Sequence, residues 1–276
     1  MAHTAAMNAL RLVARLLVIV LAMSVTNAGA QTYTPPRTAD GQPDLQGIWQ
    51  GIGVAYYSIE NLELQPIYQQ NRQDPSLRGK SIIVDPADGK IPYQPWAAAK
   101  AKEIFDNHLE PTAKYLDGAA RCMLHGVPRH LYNREFEIFQ PQGHVVIFNM
   151  AHHTYRAIPL DAGEHITERV KLYMGDSRGR WEGNTLVVDV ANNNDQTWLD
   201  IVGSFHSDAM RVVERFTPVS PDRISYEAVI TDPKVYTRPW KIAMPLERFK
   251  DYGGTELWEE ACHENNERTI ELMLKR

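Results

Sequence analysis

The sequence predicts a mainly β protein, an antiparallel meander over residues 132–276 closing into a barrel, preceded by a loop-rich part (31–131) with one helix. Three observations predict it. After Leu131 apolar and polar residues alternate with a period of two, as strands with one buried face require. The alternating runs are short and broken by turn signals, among them "PQG" before His144 and "EGN" before Thr185, which suit hairpin connections. So many sequential strands with little helix between them leave edges that closure into a barrel hides.

Each element follows from a local pattern. Residues 1–30 carry Arg11 and Arg15, the apolar run "LLVIVLAM" and then "NAGA", with Ala28 and Ala30 at small-x-small spacing, so an export signal cleaved before Gln31 is expected. Its apolar run is shorter than the roughly 20 residues a spanning helix needs, and no stable membrane insertion is expected. The mature chain is therefore read as soluble and periplasmic or secreted. In 31–131, "TPPRTADGQPD", "QDPSLRG" and "VDPADGKIPYQP" cluster turn residues. Between them "DLQGIWQGIG" reads as a first strand, and "PWAAAKAKEIFDNHL" as a helix with Pro95 near its start. The later strands are "EFEIF", "HVVIFNMAHHTYRAI", "GRW", "TLVVDV", "AMRVVERF", "RISYEAVI", "VYTRPWKIAM" and "TELWEEAC".

Charge excludes one class of partner. With Arg11 and Arg15 removed from the 29 basic residues, 27 face 34 acidic ones and the mature net charge is −7. Phosphate neutralisation needs basic patches, so no nucleic acid partner is expected. The two cysteines, Cys122 in "RCMLHG" and Cys262 in "EACHEN", are expected to form a disulfide in an oxidising compartment. A metal site from Cys122, His125, Cys262 and His263 is the alternative, because C-x-x-H spacing can chelate.

Strand parity selects candidate site residues. Adjacent strand residues face opposite ways, so His152 and His153 cannot share one ion without a bulge. If "HVVIFNMAHHTYRAI" is one strand, His152 follows Val146, Phe148 and Met150 on the inward face, and Arg156 falls there too. In "AMRVVERF" Glu214 shares a face with Met210, Val212 and Phe216, a carboxylate among apolar neighbours. In "VYTRPWKIAM" Arg238 shares a face with Tyr236, Trp240, Ile242 and Met244. Unpaired buried charge is expensive, so Glu214 and Arg238 are expected to meet directly or through a ligand. If His152 joins them, burial raises the Glu pKa and lowers the His pKa, the raw material of acid and base catalysis. A purely structural ion pair is the plainer reading of the same residues. Asp200, His206 and Asp208 in "WLDIVGSFHSDAMR" form a second candidate cluster on a loop, read as a His–carboxylate pair, as two ligands of a metal, or as turn chemistry.

Two resemblances add to this reading. "GIW" at Gly47–Trp49 is similar to the Gly-x-Trp opening of lipocalin-like (calycin-like) barrels, which implies a cavity-forming barrel. The longer motifs "SIIVDPADGKIPY", "YRAIPLDAGEH", "GDSRGRWEGNTLVVDV", "HSDAMRVVERF", "DPKVYTRPW" and "EEACHEN" resemble a large family of exported bacterial proteins of unknown function. That resemblance implies export and a shared fold, and it supplies no mechanism.

Missing motifs narrow the function. A glycine-rich phosphate loop, HExxH and CxxC are all absent from the sequence, which names no cofactor or metal. Two expectations remain. One is a binding protein enclosing a small, largely apolar molecule, with Trp49, Phe216, Tyr226 and Trp240 as walls and Arg238 as a polar contact. The other is a cofactor-independent or metal-assisted lyase, isomerase or hydrolase, with His152 or His206 as base, Glu214 as acid and Asp208 beside His206.

Overall fold

A computed structural model of the chain describes residues 33–64, 80–161, 163–250, 256–264 and 266–274, and the expected export signal lies outside them. The strands are β1 (Gly47–Gln50), β2 (Ile83–Asp85), β3 (Phe136–Phe139), β4 (His144–Asn149) and β5 (Thr154–Pro159). They continue as β6 (Asp176–Glu182), β7 (Thr185–Ala191), β8 (Arg211–Ser220), β9 (Arg223–Thr231) and β10 (Trp240–Arg248). Helix α1 covers Pro95–Asp106 and α2 covers Glu267–Leu274. All ten strands form one antiparallel sheet, ordered β5-β4-β3-β1-β10-β9-β8-β7-β6, in a nearly closed barrel.

The order follows from the chain. β6 to β10 are successive antiparallel neighbours, each paired with the next. The free side of β10 is then shared, with β2 beside Ile242 and β1 beside Arg248. β1 carries the sheet on to β3, β4 and β5. The ends β5 and β6 meet through side chains: Arg156 Nε donates to Ser177 Oγ at 2.9 Å. Gly179 is required at this seam, because a Cβ there would stand 2.8 Å from the methyls of Ile158 and Leu160.

Parity of the later strands is as the alternation requires. Val188, Glu214, Ala228 and Ile242 are cross-strand neighbours in one inward row, and Phe216, Tyr226 and Met244 in another. All are buried in a continuous apolar core, except that Glu214 places a carboxylate inside it. Each large apolar side chain buried there contributes about 1.5–3 kcal/mol. The β1 end is closed by Arg248, whose guanidinium lies 4.1 Å over the Trp49 ring and donates to the Gln46 carbonyl, while Trp49 Nε1 donates to the Leu45 carbonyl.

Four expectations are corrected. "HVVIFNMAHHTYRAI" is two strands, because a 3-10 turn at Ala151–His153 folds β5 back on β4. On β4 the inward residues are Val145, Ile147 and Asn149, the face opposite to the one expected. "VYTRPWKIAM" becomes regular strand only at Trp240, after a stretch in which Tyr236 bridges Tyr93. In "TELWEEAC" residues 256–262 are not strand, the residues before them lie outside the description, and α2 follows where no helix was expected. Strand β2, within "SIIVDPADG", is a further addition.

Candidate functional site

The expected trio of Glu214, Arg238 and His152 does not assemble. Glu214 is completely buried, as parity requires, but its cation is Arg156 from β5, whose Nη2 donates to Oε2. Tyr226 donates its hydroxyl to Glu214 Oε1 at 2.8 Å. His130 Nε2 lies 3.4 Å from Arg156 Nη1. Arg238 instead sits at the surface in a two-pronged contact with Asp85, at 2.8 and 3.1 Å. It precedes the strand proper, so strand parity does not govern it.

Trp49, Phe216, Tyr226 and Trp240 lie inside the barrel, exposed by 2, 0, 0 and 1 %. All four belong to the hydrophobic core, Phe216 meeting Tyr226 edge-on and Trp240 meeting Tyr236.

The loop cluster separates into three unconnected roles. His206 is buried, with Nε2 2.7 Å from Thr197 Oγ1 and Nδ1 3.0 Å from the Ser207 carbonyl, so neither nitrogen meets a carboxylate. Burial lowers its pKa. Asp208 is outside and binds Lys234, whose hydrogen bond holds its carboxyl below the usual range. Asp200 is completely buried and accepts from the Ile59 and Ser204 amides and the Ser204 hydroxyl. Burial, opposed by those bonds, pushes its pKa up to about 6.

His152 belongs to a different assembly. Cys122 and Cys262 form the expected disulfide, with Cα atoms 5.8 Å apart, which removes the metal alternative. Beside the bridge, at the end of the barrel where β4 turns into β5, lies a cavity of about 370 Å³. Its polar lining includes Tyr56, His125, Asn133, Arg134, His152 and Glu260, with Glu264 and Asn266 beside them. The His125 and His152 rings are stacked with centroids 4.6 Å apart and planes 12° from parallel. Behind them Tyr56 meets His125 edge-on, and the Arg129 guanidinium, paired with Asp117, lies 4.6 Å over the Tyr56 ring.

Both histidines are kept neutral. Burial, then the nearby Arg129 charge, holds the His125 pKa well below its ordinary value. Burial also lowers that of His152, against the pull of Glu260. Asn133 Nδ2 donates to His125 Nε2 at 2.7 Å, which leaves the proton of the neutral ring on Nδ1. Neither ring nitrogen of His152 has a hydrogen-bond partner among the described residues, and both are shielded from water. Leaving a buried polar group unanswered costs about 1–3 kcal/mol.

Backbone strain gathers at the same place. Four described non-glycine residues have positive φ; of these His152 lines the cavity, His153 follows it in the chain, and Cys122 is bonded to the lining residue Cys262. The left-handed conformation costs roughly 1–2 kcal/mol for an L-residue and persists where surroundings over-determine it, as at ligand sites. Among the described residues no group of three or more His, Cys, Asp or Glu side chains is placed to hold a metal ion. The cavity thus offers neutral imidazoles, an amide, a phenol and a carboxylate–guanidinium pair, a set suited to hydrogen-bonding and proton transfer.

Sequence reasoning singled out His152, Cys122, Cys262 and His125 but missed Tyr56, Asn133, Arg134 and Glu260, which no pattern joins. No family model, curated protein or solved structure matches the chain.

Proposed function

We propose that this is an exported, periplasmic or secreted protein that binds a small molecule in the cavity beside the Cys122–Cys262 bridge. The observation that carries the reading is His152: strained, lining the cavity, with both ring nitrogens unanswered among the described residues. A buried orphan of this kind calls for a partner that the described residues do not supply. This relocates the expected ligand from the apolar barrel interior, where the aromatic residues are packed as core, to a more polar chamber at its end. The disulfide supports an oxidising compartment, and no described helix is long and apolar enough to cross a membrane.

A second reading, acid–base catalysis at the same place, is favoured by one observation. An imidazole held neutral near pH 7 is ready to accept a proton, and His152 would be the base.

The test is native mass spectrometry of the protein purified from the periplasm, against its denatured mass and against His152→Ala. The expected result is a non-covalent excess in the parent chain that the variant loses. An excess retained by His152→Ala, or its absence from a folded parent chain, overturns the assignment. Accumulation in His152→Ala of a different, heavier or lighter, bound species identifies turnover in place of simple carriage.

A further inference from the structure

We propose that Glu260 is the positioning residue of this site, clamping His152 in its left-handed conformation and so setting the imidazole against His125. The inference rests on the cavity's being the functional site.

Two reciprocal bonds make the clamp. Glu260 Oε2 accepts the His152 backbone N–H at 3.1 Å, and the Glu260 backbone N–H donates to His153 Nε2 at 2.9 Å. One residue therefore meets both strained positions, the first with its side chain and the second with its main chain. His152 has φ 56° and ψ 16°, and His153 has φ 47°. Within the turn itself the only backbone bond is His153 N–H to the Met150 carbonyl at 3.2 Å, too little to fix two consecutive left-handed residues.

What holds Glu260 is not secondary structure, for residues 256–261 are neither helix nor strand. Two residues on, Cys262 is bonded to Cys122. Asn266 Nδ2 then donates to the Ala120 carbonyl at 3.0 Å and to the Cys262 carbonyl at 3.4 Å. The segment is thereby pinned onto residues 120–122, a different wall of the cavity. Arg134 Nε stands 3.5 Å from Glu260 Oε1 and restrains the carboxylate sideways. The disulfide is then an anchor of the site as well as a staple of the fold.

Charge and acceptor geometry are separable. Glu260→Gln keeps an oxygen for the His152 N–H and loses the negative charge that pulls the His152 pKa upward; Glu260→Ala loses both. The experiment follows the histidine ring nitrogens and carbons by long-range ¹H–¹⁵N and ¹H–¹³C NMR over pH 4–8, with His152→Ala and His125→Ala assigning the signals. Glu260→Ala is expected to move both rings' shifts to those of unstacked histidines, and Cys122→Ala/Cys262→Ala to do the same. Glu260→Gln is expected to keep the stacked shifts while lowering the His152 titration midpoint below that of the parent chain.

Parent-like ring shifts and titration in Glu260→Ala overturn the proposal, as does a Glu260→Gln variant as perturbed as Glu260→Ala. Should Glu260→Ala fail to fold, Glu260→Asp takes its place: its shorter side chain keeps the charge but withdraws the acceptor from the His152 N–H, and parent-like ring shifts in that variant overturn the proposal. These signals need no ligand. A chain that shows them yet carries no bound molecule loses the binding assignment while keeping the clamp.

Discussion

The Arg156–Glu214 pair is the most exposing test of how this barrel is held, because its ions come from the two sides of the incomplete seam. Arg156→Met leaves the Glu214 carboxylate in the core with only the Tyr226 hydroxyl to answer it. The side chains are exposed by 3 % and 0 %, so neither charge can turn to water. Breaking a buried pair from one side costs about 3–5 kcal/mol. Glu214→Gln should fall in the same range, since it strands the Arg156 guanidinium between His130 and Ser177. Replacing both as Arg156→Met/Glu214→Leu removes both desolvation costs, and the double variant is expected within about 2 kcal/mol of the parent. The cycle built on Arg156→Met and Glu214→Leu therefore predicts a coupling energy of at least about 3 kcal/mol.

Urea unfolding followed by tryptophan fluorescence, disulfide intact, measures it. With slopes of about 1–3 kcal/mol per molar, each single substitution should lower the midpoint by about 1 M or more. Single costs below about 1 kcal/mol, or a double variant equal to the sum of its singles, would refute the reasoning and mean that water reaches the pair.

Other expectations are as direct. Removing the disulfide as Cys122→Ala/Cys262→Ala, bridging residues 140 apart, should cost about 4–5 kcal/mol by the loop-closure argument, read as a fall in thermal midpoint. Asp200 has its pKa raised from 3.8 to about 6, so its contribution is fully present below pH 4 and is lost as pH rises through 6, a change of about 3 kcal/mol. Stability of Asp200→Asn, compared with the parent over pH 4–7, should lack that decline; parallel curves would count against it. His125, His130 and His206, whose pKa values burial lowers, act the other way: their stability is present above pH 6.5 and lost as pH falls below it. Arg248→Met should cost about 1–3 kcal/mol from the lost cation–π contact and carbonyl bonds, measured by urea melts.

The strands from "TLVVDV" to "RISYEAVI" were legible because alternation is a local signal: Leu186, Val188 and Val190 face one way whatever the rest of the chain does. The same logic found Glu214. It failed on β4, whose inward residues are odd-numbered, because two left-handed residues at the turn shift the period and the even-numbered face, with Arg156 and Ile158, turns inward only beyond it. It failed at Arg238 for a related reason, since that residue lies before the strand begins. Nothing periodic could have joined Tyr56, His125, Asn133 and Glu260, which sit in a 3-10 turn, two loops and an irregular C-terminal segment.

By itself, then, the sequence determined the β class, the helix α1, the inward row of β7 to β9 and the pairing of its only two cysteines. Each of these depends on near neighbours along the chain or, for the cysteines, on there being no other choice. The tertiary structure alone decided which cation meets Glu214, since Arg156 and Arg238 are equivalent in charge and differ only in where closure of the barrel brings them. It also decided where the strained histidine stands, because that depends on a carboxylate 108 residues further on, delivered by the disulfide. Coulombic and hydrogen-bond energies fall off with distance in space, and separation along the chain does not measure that distance.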